Sequence, residues 1–191
     1  MKHYENVKIV ALVGLTGSGK STAVDYLTHK GYPKVYFGGV IYQAMEEAGI
    51  ERTAESETIF REEIREREGK DFVVKRIVTQ INDLIDAGQR RIIADGLYTW
   101  TEYKILKKAF PGELTTVAVV APKHLRHRRL TQRTERPYTL EEANQRDWSE
   151  IENLEKGGPI AIADHYIMND GNLDRFHEQI DTELEHIKFY N

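Results

Sequence analysis

The sequence has no cysteine, which excludes disulfides, thiolate zinc sites and cysteine nucleophiles together. It has no apolar run near the roughly 18 residues that a membrane-spanning helix needs, so no membrane partner is expected. The opening Met1-Lys2-His3-Tyr4-Glu5-Asn6 lacks the apolar core of a signal peptide, and cytoplasmic residence is the expectation. Repeats, low-complexity tracts and linker-like stretches are also missing. With 191 residues, that predicts one domain over 1–191. No excess of positive charge marks a general nucleic-acid binder, because the formal net charge is −4. What the chain does have is a hydrophobic fraction of 40%, ordinary for a folded globular protein.

Its apolar residues fall into alternating strand-like and helix-like segments. Val7-Lys8-Ile9-Val10-Ala11-Leu12-Val13 is almost continuously apolar and ends at a glycine, as a strand buried on both faces does. Helix is predicted from about Ser21 to His29, with Ala23, Val24 and Leu27 inward. A short strand at Val35-Tyr36-Phe37 precedes Gly38-Gly39 and a helix near Val40–Ala48. Glu55–Glu68 reads as an exposed helix laced with i,i+4 charge pairs. Asp71–Asp86 reads as an amphipathic one with Val73, Ile77, Ile81 and Leu84 on one face. Strands follow at Arg91–Asp95 and Thr115–Ala121, with a helix around Thr101–Phe110 between them. Thr139 and Glu142 form a capping-box pattern opening a helix to about Glu155, broken by Gly157-Gly158-Pro159. Tyr166-Ile167-Met168 is a last strand, and Leu173, Phe176, Ile180, Leu184 and Ile187 mark a final helix. This alternation predicts an α/β three-layer sandwich around a mostly parallel sheet.

Gly14-Leu15-Thr16-Gly17-Ser18-Gly19-Lys20-Ser21 fits G-x-x-x-x-G-K-[ST] at every fixed position, between a buried strand and an amphipathic helix. In that context the glycines let successive amides of Gly14–Thr22 converge on the β- and γ-phosphates of a nucleotide such as ATP. Lys20 adds charge at the transferring group, and the Ser21 hydroxyl suits Mg²⁺. A guanine-reading Asn-Lys-x-Asp is absent, which disfavours a signalling GTPase. A motor ATPase would need a larger core and further motifs.

Asp95, at the carboxyl end of its strand, is either a second metal-positioning group or a plain strand-end turn with Gly96. Beyond Pro122 the chain turns basic. Arg126, Arg129, Arg133 and Arg136 follow 3–4–3 spacing on one predicted helical face, within a candidate lid at about 123–157. They read as a clamp that closes over a phosphoryl group, as a solvated face, or as a nucleic-acid surface. The last is disfavoured by the lack of interleaved aromatics.

In these features the chain resembles the P-loop small-molecule kinases, namely nucleoside-monophosphate kinases and, more closely, dephospho-CoA kinases. The resemblance spans nearly the whole chain: the strand–loop–helix start, Ile93-Ala94-Asp95-Gly96, the arginines of 126–136, and Ala163–Gly171. It implies ATP and Mg²⁺ as cofactors and a small-molecule phosphate acceptor, dephospho-CoA-like or nucleotide-like. It also places Asn169 and Gly171 against the adenine, unless they form an ordinary turn with Asn172 as a helix cap. Arg146-Asp147…Glu150 resembles a group of dephospho-CoA kinase-like proteins. One departure is clear. Relatives carry Gly-Asp-x-x-Arg after the second strand, whereas Gly39 and Tyr42 stand here in place of the Asp and Arg. Leu97-Tyr98-Thr99 also lacks the arginine common after the Asp-Gly pair. Tyr36, Tyr42, Tyr98 and Trp100 either line a pocket for a larger, less charged acceptor or pack the sheet edge. The rival expectation is a nucleotide-binding sensor without transfer activity.

Overall fold

Five short segments pair side by side, the central three mostly buried and the two edge strands less so. In the computed structural model, which describes residues 4–190, they are β1 (Lys8–Val13), β2 (Lys34–Tyr36), β3 (Arg91–Asp95), β4 (Leu114–Val120) and β5 (His165–Met168). Residues 1–3 of the opening segment lie outside the described residues, as do the side chains of Ala54, Glu55, Thr58 and Arg65. The strand order is β2-β3-β1-β4-β5 and every pairing is parallel. Parallel neighbours need crossovers, supplied by α1 (Lys20–His29), α2 (Phe37–Glu47), α3 (Ala54–Glu68), α4 (Phe72–Asp86), α5 (Trp100–Ala109), α6 (Lys123–Thr131), α7 (Leu140–Glu152) and α8 (Gly157–Ala161). A last helix, α9 (Leu173–His186), returns over the sheet.

The sheet's period of two divides the core into halves. Ile9, Ala11, Val13, Ile92, Ala94 and Ala118 face one layer, packed by α2, α3, α4 and α5. Val10, Leu12, Ile93, Val117 and Val119 face the other, packed by α1 and α9 through Ala23, Val24, Leu27, Phe176, Ile180 and Leu184. The architecture is therefore the expected α/β three-layer arrangement around a parallel sheet. Among the described residues no helix is long and apolar enough to cross a membrane.

Four local readings change. Gly38 and Gly39 are not a break before a helix but its first turn, since α2 begins at Phe37. Gly157-Gly158-Pro159 is itself a short helix, because a first turn needs no backbone donor from proline. On α3, Phe60 and Ile64 are buried, so that helix is exposed on one side only. On α4 the buried set is Phe72, Val74, Ile77, Ile81 and Ile85, while Val73 and Leu84 pack at its margin.

A candidate phosphate-binding site at the carboxyl edge of the sheet

With all strands parallel, their carboxyl ends share one edge, where ligands of open α/β sheets bind. Along it lie Tyr36 closing β2, Asp95 closing β3, the Gly14–Ser21 loop after β1, and Asn169 after β5. Tyr36 and Asp95 are register partners across the β2–β3 pair.

The loop takes the shape its glycines permit. Gly17 and Gly19 have φ of 84° and 101°, in the left-handed region. A Cβ on Gly17 would lie 2.9 Å from the Arg126 carbonyl, and one on Gly19 would collide with the Asn169 amide. The curl leads into α1, whose first turn holds Lys20, Ser21 and Thr22. It encloses a hollow of about 290 Å³ lined by Gly14, Leu15, Thr16, Gly17, Gly19, Lys20, Ser21, Thr22 and five further side chains. Those five are Tyr98, Arg129, Arg133, Arg146 and Lys156. With Lys20, five cations face the space, and no lining residue is acidic. Such a cavity suits a polyanion.

Two walls brace the loop. On the β5 side, Asn169 donates its side-chain amide to the Ser18 carbonyl at 2.8 Å, and its backbone N–H bonds Val120 at 2.7 Å. Arg129 donates to the Asn169 carbonyl at 3.0 Å and to the Gly17 carbonyl at 3.3 Å. Burial and neighbouring Arg128 lower the Arg129 pKa from its ordinary value.

On the other side α7 presses two carboxylates inward, three residues apart. Asp147 takes a bidentate pair from Arg126 at 2.6 and 2.8 Å and a bond from His127 at 2.9 Å. Burial alone would raise the Asp147 carboxyl, but Arg126 and His127 outweigh it and hold it below the usual range. Glu150, fully buried, accepts the Thr16 N–H at 2.9 Å and the Thr16 hydroxyl. It also accepts from Lys156 at 2.6 Å and Arg146 at 3.1 Å. Its carboxyl is likewise pushed up by burial and pulled further down, here by Lys156 and Thr16.

The expected site residues thus separate. Gly14, Thr16, Gly17, Gly19, Lys20, Ser21, Thr22, Arg129 and Arg133 line the hollow together. Ser18 is buried beneath it, and Asp95 pairs with the Lys20 ammonium. Arg126 does not line it: its guanidinium is spent on Asp147 and on the Thr16 carbonyl at 3.1 Å. Nor do Asn169 and Gly171; Asn169 supports the loop, and Asn172 caps α9 by accepting from the Arg175 N–H. The shared helical face of arginines also breaks. α6 ends at Thr131, so Arg133 and Arg136 lie beyond it, Arg136 with φ of 50°. Glu150 and Lys156 were missed as site residues. The signal was available as a carboxylate in the last turn of the capped helix and a lysine just beyond it, but only packing shows that they reach the loop.

Across the edge, Tyr36 folds back over α2. A Cβ on Gly38 would lie 2.5 Å from its hydroxyl, and one on Gly39 3.1 Å from its ring. Tyr42 lies 6.5 Å from Tyr36, with the Arg52 guanidinium 3.3 Å from the Tyr42 ring centroid. Burial, aided by Asp95, pushes the Tyr98 phenol well above its ordinary value, and burial with Tyr42 raises Tyr36. Both tyrosines stay protonated and can donate. Trp100 is stacked on Tyr103 and covers Gly158.

Loop, sheet order and edge together define a P-loop NTPase fold of kinase-like architecture. A family model described as an AAA domain matches residues 10–150. A UPF0200 protein of Thermococcus gammatolerans is 32% identical over 182 residues, covering 94% of this chain and 95% of that one. Another, of Sulfurisphaera tokodaii, is 33% identical over 186 residues, covering 95% and 98%. The chain belongs to the AAA-domain family and to the UPF0200 proteins. Among solved structures, the dephospho-CoA kinase from Campylobacter jejuni superposes with a TM-score of 0.62 at 18% identity, covering 94% and 96% of the two chains. A sugar kinase from Janibacter gives 0.56 at 17%, covering 96% and 95%. At such identities the likeness is one of fold. The resemblance to dephospho-CoA kinases read from the sequence therefore holds for the kinase-like fold, while the sequence relatives named here are UPF0200 proteins.

Proposed function

We propose that the protein is an ATP-dependent phosphotransferase acting on a small-molecule acceptor. The observation that carries this reading is the hollow itself: a glycine-rich loop leading into a helix start, five cations and no acidic lining residue in about 290 Å³. Lys20 and the loop amides bind the β- and γ-phosphates, and Arg129 and Arg133 neutralise charge that develops on the transferring group. In this reading Lys20 leaves Asp95 for the nucleotide, and the released carboxylate orients the acceptor hydroxyl or the metal.

The residues present suit Mg²⁺, which usually keeps waters and needs only one or two protein oxygens beside the phosphates. Ser21 offers a hydroxyl to the hollow and Asp95 a carboxylate beside it. Among the described residues no group of three or more His, Asp or Glu side chains could hold an ion without a nucleotide. When bound, Mg²⁺ would supply charge neutralisation at the phosphate oxygens.

The acceptor is dephospho-CoA-like or nucleotide-like, held at the β2–β3 end by Tyr36, Tyr42 and Tyr98 instead of by the Asp and Arg replaced at Gly39 and Tyr42. Segment 123–157 acts as the lid. Purified protein with MgATP and a panel of such acceptors tests this: ADP should form only with an acceptor present, and Lys20→Ala should abolish it. ATP binding without transfer to any acceptor overturns the reading.

A second reading, a nucleotide-dependent sensor without turnover, is favoured by the Tyr36 ring lying on Gly38 and Gly39. It expects thermal stabilisation by ATP with no ADP formed, and gain of transfer in Gly39→Asp.

A further inference from the structure

Two of the five cations, Lys156 and Arg146, stand apart from Lys20, Arg129 and Arg133. Lys156 is buried, yet its side chain lines the hollow. An ammonium has three N–H donors. One goes to Glu150 at 2.6 Å, and Nζ stands 4.2 Å from the centroid of the Tyr98 ring. Arg146 gives its Nε–H to the same Glu150 oxygen at 3.1 Å. Among the described residues no bond engages its terminal NH1–NH2 fork, and it too lines the hollow. Glu150 is fully buried and holds the Thr16 N–H and hydroxyl. One carboxylate therefore fastens the phosphate loop and aims both cations.

Their position along the sheet gives them a direction. Arg129 is tied to Asn169, after β5. Lys156 lies on Tyr98, which follows β3 and packs beside Gly96. The loop, after β1, sits between these walls. A phosphate chain laid across the loop thus has Arg129 on its β5 flank and Lys156 with Arg146 on its β3 flank, next to Asp95 and the tyrosines. That is the flank from which an acceptor would approach. At Lys156, whose side chain is 7% exposed, burial weakens the competition from water and strengthens a charge-assisted bond; Arg146, 41% exposed, gains less.

We propose that Lys156 and Arg146, aimed by Glu150, are further terminal-phosphate contacts, on the β3 flank of the hollow, and sharpen the protein's distinction between a nucleoside triphosphate and a diphosphate. The inference rests on the nucleotide reading above and deepens it. Lys156 and Arg146 touch the ligand; Glu150 is a positioning residue.

Calorimetric titration with MgATP and MgADP tests it without requiring turnover. Wild-type protein should bind ATP at least about tenfold tighter than ADP, as a charge-assisted bond to the extra phosphate implies. Lys156→Met should lower the ratio by about fivefold while ADP affinity holds within about twofold, and Arg146→Met should lower it less. Glu150→Gln should lower the ratio with its circular dichroism retained; if it does not fold, Lys156→Met alone decides. Lys20→Ala should weaken both nucleotides. Equal wild-type affinities, or a Lys156→Met protein with an unchanged ratio or with both nucleotides weakened alike, overturns the assignment. If wild type binds neither nucleotide, this inference and the function both fall. If transfer persists with an unchanged ratio in Lys156→Met, only this inference does.

Discussion

The two ends of the carboxyl edge are built from different materials. Around β1, β4 and β5 the site is main chain: amides of a glycine loop held by Asn169, Arg129 and Glu150. Around β2 and β3 it is side chain: Tyr36 folded over the start of α2, Tyr42 beside it with Arg52 on its ring, and Tyr98 against Gly96. Backbone sites tolerate little change, because each glycine is fixed by its torsion and its neighbours. Side-chain sites can be rebuilt residue by residue while the fold stays. Under the proposed function, the loop end takes the donor nucleotide and the tyrosine end sets specificity for the acceptor.

The contrast can be broken most severely at Lys20. Lys20→Ala should lower acceptor-dependent ADP formation by about a thousandfold, the scale of a lost charge-stabilising donor; a loss under tenfold would mean that the loop is not the donor site. Next comes the brace from α7. Glu150→Ala leaves Lys156 buried without its anion and should cost about 3–5 kcal/mol in urea unfolding. A cost near zero would show that α7 is not fastened to the loop.

Acid should loosen the same brace. Asp147 and Glu150 both have folded pKa values below their ordinary ones. Their stabilisation is thus complete above the unfolded carboxylate range near pH 4, and it is lost as pH falls through the lower folded values. The Tm of the wild type should drop on acidification below about pH 4, and Asp147→Asn should flatten that limb. An unchanged limb would contradict the assignment.

At the other end the effects should be smaller and confined to one substrate. Tyr42→Ala should raise the acceptor KM by about tenfold with the ATP KM unchanged, since Tyr42 does not line the phosphate hollow. An equal shift in both would erase the division between the ends. Smallest is Thr99→Ala, which removes the α5 capping box beside Tyr98 and should cost about 1 kcal/mol of stability.

The same difference in materials explains what could be read from the chain. The strands, the parallel sheet and the Gly14–Ser21 loop follow from apolar runs and from spacing, because backbone geometry is local. The Thr139–Glu142 capping box was equally legible and is present. The roles of the arginines were not, since all have the same local signal. Packing commits Arg126 to Asp147 and leaves Arg129 at the loop. Glu150 reaches Thr16 across 134 residues of sequence, and no periodicity encodes such a contact. Tyr36 over Gly38 is likewise tertiary; the missing Asp and Arg could be noticed in the sequence, but not what fills their place.

The central claim is that the Gly14–Thr22 loop receives phosphates from the nucleotide. The most direct measurement is a crystal structure with a non-hydrolysable ATP analogue and Mg²⁺. Phosphate density should lie against the loop, with Lys20 Nζ moved from Asp95 onto the phosphates. Phosphates bound elsewhere, or Lys20 still paired with Asp95 beside an empty loop, would contradict it.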